Sequence, residues 1–173
     1  MDTEKQYKLM SGFFGIERET LRVQKGTDVL ASTDHPFPDD PCISKDFCES
    51  QTEIITPACR STGQALESLK MLDQKVRDRL DEMDETLWMN SNPPYVPNES
   101  MIRIAHFEGQ DREKEIYRKY LREKYDIRRQ LLSGIHYNFS FSEESMDVLR
   151  SLTGTDGDAM YMKLASLALR VPG

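Results

Sequence analysis

The sequence lacks an excess of positive charge. Its 173 residues carry 23 Lys and Arg against 30 Asp and Glu, a formal net charge of −7. Nonspecific nucleic-acid binding draws on clustered cations, so no nucleic-acid partner is expected. The run REKEIYRKYLREK at 112–124 is rich in Lys and Arg, but it mixes both signs and reads as a solvated helix face. No apolar run approaches the eighteen or so residues that a membrane span needs. The opening MDTEKQYKLMSGFF is charged, has no long apolar stretch and does not read as a secretory signal. Cysteine is scarce and odd in number. Cys42, Cys48 and Cys59 fit no zinc spacing and read as reduced thiols of a cytoplasmic protein. Neither GxxxxGK[ST] nor GxGxxG occurs, so any nucleotide site belongs to another type. No base evidently accompanies Cys48, which reads as a small buried residue and not a nucleophile. Repeats and low-complexity tracts are absent.

What is present suits one domain, or one large piece of a bigger one. The apolar fraction is 38% and the charged fraction 31%, enough for a core on the polar side of normal. Residues 12–23, GFFGIERETLRV, read as a strand, and residues 26–45 as turn-rich, with HPFPDDP in their middle. Residues 46–56 form a second strand stopped by Pro57. Ser61 and Gln64 make a capping box ahead of a long amphipathic helix over 62–87, on which Ala65, Leu66, Leu69, Leu72, Val76, Leu80 and Met83 recur. Three prolines exclude helix from 90–99. A second helix is expected over 111–131, with Ile116, Tyr120, Ile127 and Leu131 on one side. Trp88 reads as core. Gly134 precedes a strand, SGIHYNFSF, with Ile135, Tyr137, Phe139 and Phe141 on its apolar face. Helices over 143–152 and 157–170 follow. The order implies an α+β fold, a mostly antiparallel sheet with helices packed on one face.

Alternate residues of a strand share a face. Glu17 and Glu19 therefore lie side by side. Glu49, Gln51 and Glu53 share a face of the second strand, and Asp46 joins them only through a bend. His136, Asn138 and Ser140 share a face of the third. Carboxylates pooled in this way repel unless Lys, Arg or a divalent cation neutralises them. Oxygen donors with one imidazole suit Mg²⁺ or Mn²⁺ better than zinc, and Mg²⁺ often completes its shell with phosphate oxygens. Spacing alone leaves plainer readings open: a solvated Glu-x-Glu face, a surface histidine, and Asn138 as polar filler.

Three segments in order, GIERETLRV, KDFCESQTEIITP and SGIHYNFSFS, resemble bacterial glutamate–cysteine ligases and the ligase module of bifunctional glutathione synthetases. TDHP at 33–36 and the prolines before Tyr95 add to the likeness, which runs from about residue 10 to residue 145. The resemblance implies a curved antiparallel sheet of the glutamine synthetase and guanidino kinase type. It implies ATP-dependent joining of the glutamate γ-carboxylate, through an acyl phosphate, to the amine of cysteine, with Mg²⁺ or Mn²⁺ required. It casts Glu17, Glu19, Asp46, Glu53 and His136 as metal ligands, with His136 alternatively a phosphate contact. Asn138 would line the substrate or phosphate region, and Tyr117 and Phe47 would help shape the cysteine pocket. Family chains are much longer, so residues 1–173 are expected to be the N-terminal part of a truncated catalytic domain. Such a chain carries only part of the site, needs a C-terminal part or self-associates, and is inactive alone. The competing expectation is a non-catalytic metal-binding or interaction fragment descended from such a ligase.

Overall fold

The computed structural model describes residues 11–168. Among them, five strands form one sheet: β1 (Gly12–Gln24), β2 (Ile43–Lys45), β3 (Gln51–Ile55), β4 (Glu85–Leu87) and β5 (Ile135–Phe141). The helices are α1 (Thr62–Glu82), α2 (Arg112–Lys124), α3 (Glu143–Thr153) and α4 (Gly157–Ala168). Every pairing between these strands is antiparallel. The spatial order is β2-β3-β1-β4, and β5 also pairs with β1. Glu17 and Arg18 pair with β3 and with β5 at once, so those two strands flank β1.

The faces of β1 follow its sequence at period two. Ile16, Arg18, Thr20 and Arg22 turn toward α1. There Ile43, Ile54, Val76, Leu80 and Leu87 form one buried cluster, and Arg18 pairs with Asp73 of α1. The opposite face carries Glu17, Glu19 and Leu21. Leu21 joins a second cluster with Leu30, Phe47, Val96, Ile127 and Leu131. Loops and α2 close that end of the face, Leu121 of α2 packing on the cluster. The helices therefore do not share one face, as the element order had suggested. The mixed-sign surface of α2 is anchored by Leu121, by Arg118 and by Glu115, which accepts the Phe107 N–H at 3.2 Å, and Leu121 and Arg118 reach the side away from α1.

Ser61 caps α1, its Oγ accepting the Gln64 N–H at 3.2 Å. The helix stops at Glu82, short of the expected residue 87. Asp84 sits in the left-handed region at φ 56°, and Glu85–Leu87 pair with β1 instead. The second helix likewise ends early, at Lys124, and a 3-10 turn at Ile127–Leu131 follows. That break sends Ile127 and Leu131 into the core and leaves Ile116 and Tyr120 exposed. Within the expected strand 46–56 only Gln51–Ile55 is strand, because residues 46–50 make the tight turn from β2. Trp88 is half-buried on the second cluster and donates from Nε1 to the Asn92 carbonyl at 2.7 Å. β5 forms as expected, but its apolar face is open: Tyr137 is 78% exposed and Ile135 52%. Among the described residues α1 covers the middle of the sheet, and on this flank Tyr161 of α4 meets the Phe141 ring at 5.4 Å while Ile135 and Tyr137 stay open.

Arg22 is fully buried and ties the molecule's middle together. Its Nη1 donates to Glu85 Oε2 at 2.5 Å and to Thr33 Oγ1 at 2.9 Å. Its Nη2 reaches the Glu49 carbonyl at 2.9 Å. Removing one partner of a buried pair strands the other charge. Arg22→Met is expected to destabilise the protein by about 3–5 kcal/mol in urea unfolding, and the double change Arg22→Met with Glu85→Leu to recover most of that loss. Equal losses in the single and double variants would contradict this account.

Candidate metal centre

The open part of the sheet gathers the acids. Register sets Glu19 opposite Glu53 and Glu17 opposite His136. Ser44 of β2 lies opposite Glu53, and Asn138 lies opposite Gly15. Strand alternation thus brings Glu17, Glu19, Glu53, His136 and Asn138 onto one face from three strands. Asp46 joins from the turn after β2, close enough for its charge to act on both Glu19 and Glu53. It arrives through the expected bend.

The charges are incompletely balanced. Burial pushes the Glu53 carboxyl above the usual range, and Asp46, Glu17 and Glu19 push it further, against Arg118. Burial also raises Glu19, opposed by the Gly134 N–H and by His136, while Asp46 and Glu17 add to the rise. Local bonds hold the remaining groups. Glu19 Oε2 accepts the Gly134 N–H at 3.0 Å, and the Glu19 N–H returns to the Gly134 carbonyl at 3.0 Å. Asn138 Nδ2 donates to Glu17 Oε1 at 2.9 Å. His136 Nε2 stands 3.5 Å from Glu19 Oε1, with its side chain 57% exposed. Arg118 grips Asp46 through the backbone carbonyl and through Oδ1 at 3.3 Å. No three of these donors close in on one point as a metal cage among the described residues. The set is a face of hard oxygen donors and one imidazole, the chemistry that Mg²⁺ and Mn²⁺ take.

Not every sequence candidate belongs to this face. Glu49 does not share it with Glu53, because it lies in the turn and not on β3. Burial pushes its carboxyl up, but the His106 N–H, Lys45 and the His35 N–H outweigh that and hold it below the usual range. Its oxygens accept the His106 N–H at 2.7 Å and the His35 N–H at 3.1 Å, and Lys45 Nζ lies at 2.9 Å. Phe47 is 3% exposed and packs in the core, so its ring supports the turn from beneath and offers no open surface. Tyr117, by contrast, is 59% exposed on α2, one residue before the arginine that grips Asp46. Cys48 is buried, and burial pushes its thiol up to about 11, which suits a core residue. Sequence reasoning missed the Gly134 N–H and the Arg118–Asp46 pair. The glycine's place just before β5 hinted at the first; a separation of 72 residues hid the second.

The comparisons with known proteins agree with the three motifs. The family described as glutamate–cysteine ligase matches residues 1–170. A glutamate–cysteine ligase of Clostridium acetobutylicum is 41% identical over 155 residues, covering 86% of this chain and 32% of its own length. The glutathione biosynthesis bifunctional protein GshAB of Listeria monocytogenes is 44% identical over 146 residues, 82% of this chain and 19% of that protein. A solved structure of a Francisella tularensis glutamate–cysteine ligase in complex with AMP superposes with a TM-score of 0.74 at 34% identity, over 84% of this chain and 30% of the other. A bifunctional glutathione synthetase from Pasteurella multocida gives 0.73 at 32% identity. The chain thus spans about a third of the ligases and about a fifth of the bifunctional proteins that it matches.

Glu53 carries a charge that its surroundings disfavour, and among the described residues no hydrogen bond holds it. A carboxyl raised in the folded state binds more protons folded than unfolded, so stability falls as pH rises from the unfolded value through the raised one. Glu53→Gln should therefore raise the thermal midpoint of the metal-free protein at pH 7, with the gain vanishing below pH 4. Millimolar MgCl₂ should stabilise the parent more than the variant. A midpoint unchanged or lowered at pH 7 would remove the charge-crowding account.

Proposed function

The chain belongs to the glutamate–cysteine ligase family, and from that premise we propose that it supplies one wall of a site that joins the γ-carboxylate of glutamate to the amine of cysteine at the expense of ATP. The observation that carries this reading is the shared face of Glu17, Glu19, Glu53 and His136 at neighbouring register positions on three strands. In such a reaction ATP phosphorylates the γ-carboxylate, and the cysteine amine then displaces phosphate to give γ-glutamylcysteine. Positioning and charge neutralisation dominate phosphoryl transfer, and no protein nucleophile is needed. That agrees with a face of carboxylates that carries no paired base and nucleophile.

Glu17, Glu19, Asp46, Glu53 and His136 would hold divalent ions, Mg²⁺ or Mn²⁺, which when bound neutralise the charge of the transferring phosphate. The chain's own groups prepare that face. Gly134 and Asn138 fix the directions of Glu19 and Glu17, and Arg118 fixes Asp46. His136 sits at the solvent side of Glu19, where it completes a ligand set or meets a phosphate oxygen. Tyr117, exposed beside Arg118, would help shape the cysteine pocket, and Asn138, bonded to Glu17, would line the substrate or phosphate region. In this reading the sheet is the first part of a curved sheet of the glutamine synthetase and guanidino kinase type, in a cytoplasmic protein. The open apolar face of β5 is where the remainder of such a fold would rest, whether as continuous chain, separate polypeptide or second copy. Alone, residues 1–173 would bind Mg²⁺ weakly and turn nothing over.

A chimaera tests this. Residues 1–170 would replace the matching third of the Clostridium acetobutylicum ligase, and γ-glutamylcysteine would be measured by mass spectrometry beside ADP release. Cysteine-dependent turnover is expected, falling by about a hundred-fold or more with Glu19→Gln, Glu53→Gln or His136→Ala. A folded chimaera that binds ATP and forms no product would count against the ligase reading and for a non-catalytic fragment. Full activity in those variants would count against the assigned ligands.

A further inference from the structure

Three cations from two elements stand over the Phe107 ring. The guanidinium carbon of Arg118 is 4.8 Å from its centroid, and the Nζ atoms of Lys45 and Lys114 are at 5.4 and 5.7 Å. The ring attracts cations at this range, while they repel one another. An acid takes up each of them. Lys45 pairs with Glu49 at 2.9 Å and Lys114 with Asp111 at 2.7 Å. Arg118 pairs with Asp46. Among the described residues it alone of the three meets an acid of the carboxylate face.

Phe107 is tied to both elements that this pair joins. It ends a segment whose backbone is bonded to the turn that carries Asp46. The Glu49 N–H donates to the Arg103 carbonyl at 2.8 Å, and the Ala105 N–H to the Phe47 carbonyl at 3.0 Å. On the other side the Phe107 N–H donates to Glu115 Oε2 at 3.2 Å, one turn before Arg118 on α2. The Arg118 side chain is 14% exposed, so its charge is largely withdrawn from water, where an aromatic face counts for more. Its reach to the Asp46 carboxylate is long, 3.3 Å from Nη2 to Oδ1. A small turn of the guanidinium would lose that bond and carry the charge toward Glu53, on which Arg118 already acts. An aliphatic side chain of similar size offers the guanidinium packing without the attraction of a ring.

We propose, on the reading of the carboxylate face as a divalent-ion site, that Phe107 is a positioning residue of that face: its ring holds the Arg118 guanidinium beside Asp46, which keeps Asp46 directed and keeps the guanidinium off Glu53. Phe107 acts through Arg118 and has no contact with the ion.

The Mn²⁺ affinity of the full chain, read from the free-ion signal in electron paramagnetic resonance, tests this. Phe107→Leu should weaken affinity about five-fold, and Phe107→Tyr should hold it within about two-fold of the parent. Val76→Ala removes buried volume beneath α1, away from the face. It should lower the thermal midpoint and leave affinity unchanged, which separates positioning from stability. In an Arg118→Met background, Phe107→Leu should have no further effect on affinity. Equal affinity in the parent and Phe107→Leu, beside a loss in Asp46→Asn and Glu53→Gln, would overturn this proposal alone. So would equal losses in Phe107→Leu and Phe107→Tyr, or a Phe107→Leu loss that persists without Arg118. Affinity unmoved in Asp46→Asn and Glu53→Gln would overturn the divalent-ion reading and the proposal with it.

Discussion

The structure depends on β1 being paired along both edges at the same residues. Glu17 and Arg18 each face β3 on one side and β5 on the other. That fixes the register of three strands together, and a slip of one residue would turn every side chain to the wrong face. Glu17 and Glu19 would then point into the apolar cluster beneath α1, and Ile16 and Arg18 would take the acid face. Buried Arg22 secures the arrangement at the far end of β1, where its ties to Glu85, Thr33 and the Glu49 carbonyl join β4, the 33–34 loop and the turn before β3.

On that frame the carboxylates are crowded and yet well directed. Three of the four acids are aimed by a group that carries no competing negative charge: a backbone N–H for Glu19, an amide for Glu17, a guanidinium for Asp46. The charges that act on Glu53 are those of Asp46, Glu17 and Glu19, opposed by Arg118. Such a face is held in order without being neutralised, the condition in which an added cation gains most.

Much of the site was legible because strand alternation is local. GIERE puts two acids on one face from its spacing alone, and SGIHYNFSF does the same for His136 and Asn138. That Asp46 needs a bend was also readable, since it is an odd number of residues from Glu53. Other features rest on contacts distant in the chain. Glu49 looks equivalent to Glu53 at period two, but its oxygens are claimed by amides of His35 and His106, 14 and 57 residues away. The apolar stripe of β5 reads as buried, and whether a stripe is covered depends on which helix reaches it. The overlong helix readings failed at Asp84 and Tyr125, where pairing with β1 and burial of Ile127 outweighed helical propensity.

The turn at residues 46–50 bears Asp46 toward the open face and Glu49 toward the 35–41 loop and His106. Only Phe47 and Cys48 separate them, in a turn closed by the Asp46 N–H to the Gln51 carbonyl and the Gln51 N–H to the Cys48 carbonyl. One short turn is therefore the common support of the open face, through Asp46, and of the 35–41 loop and His106, through Glu49.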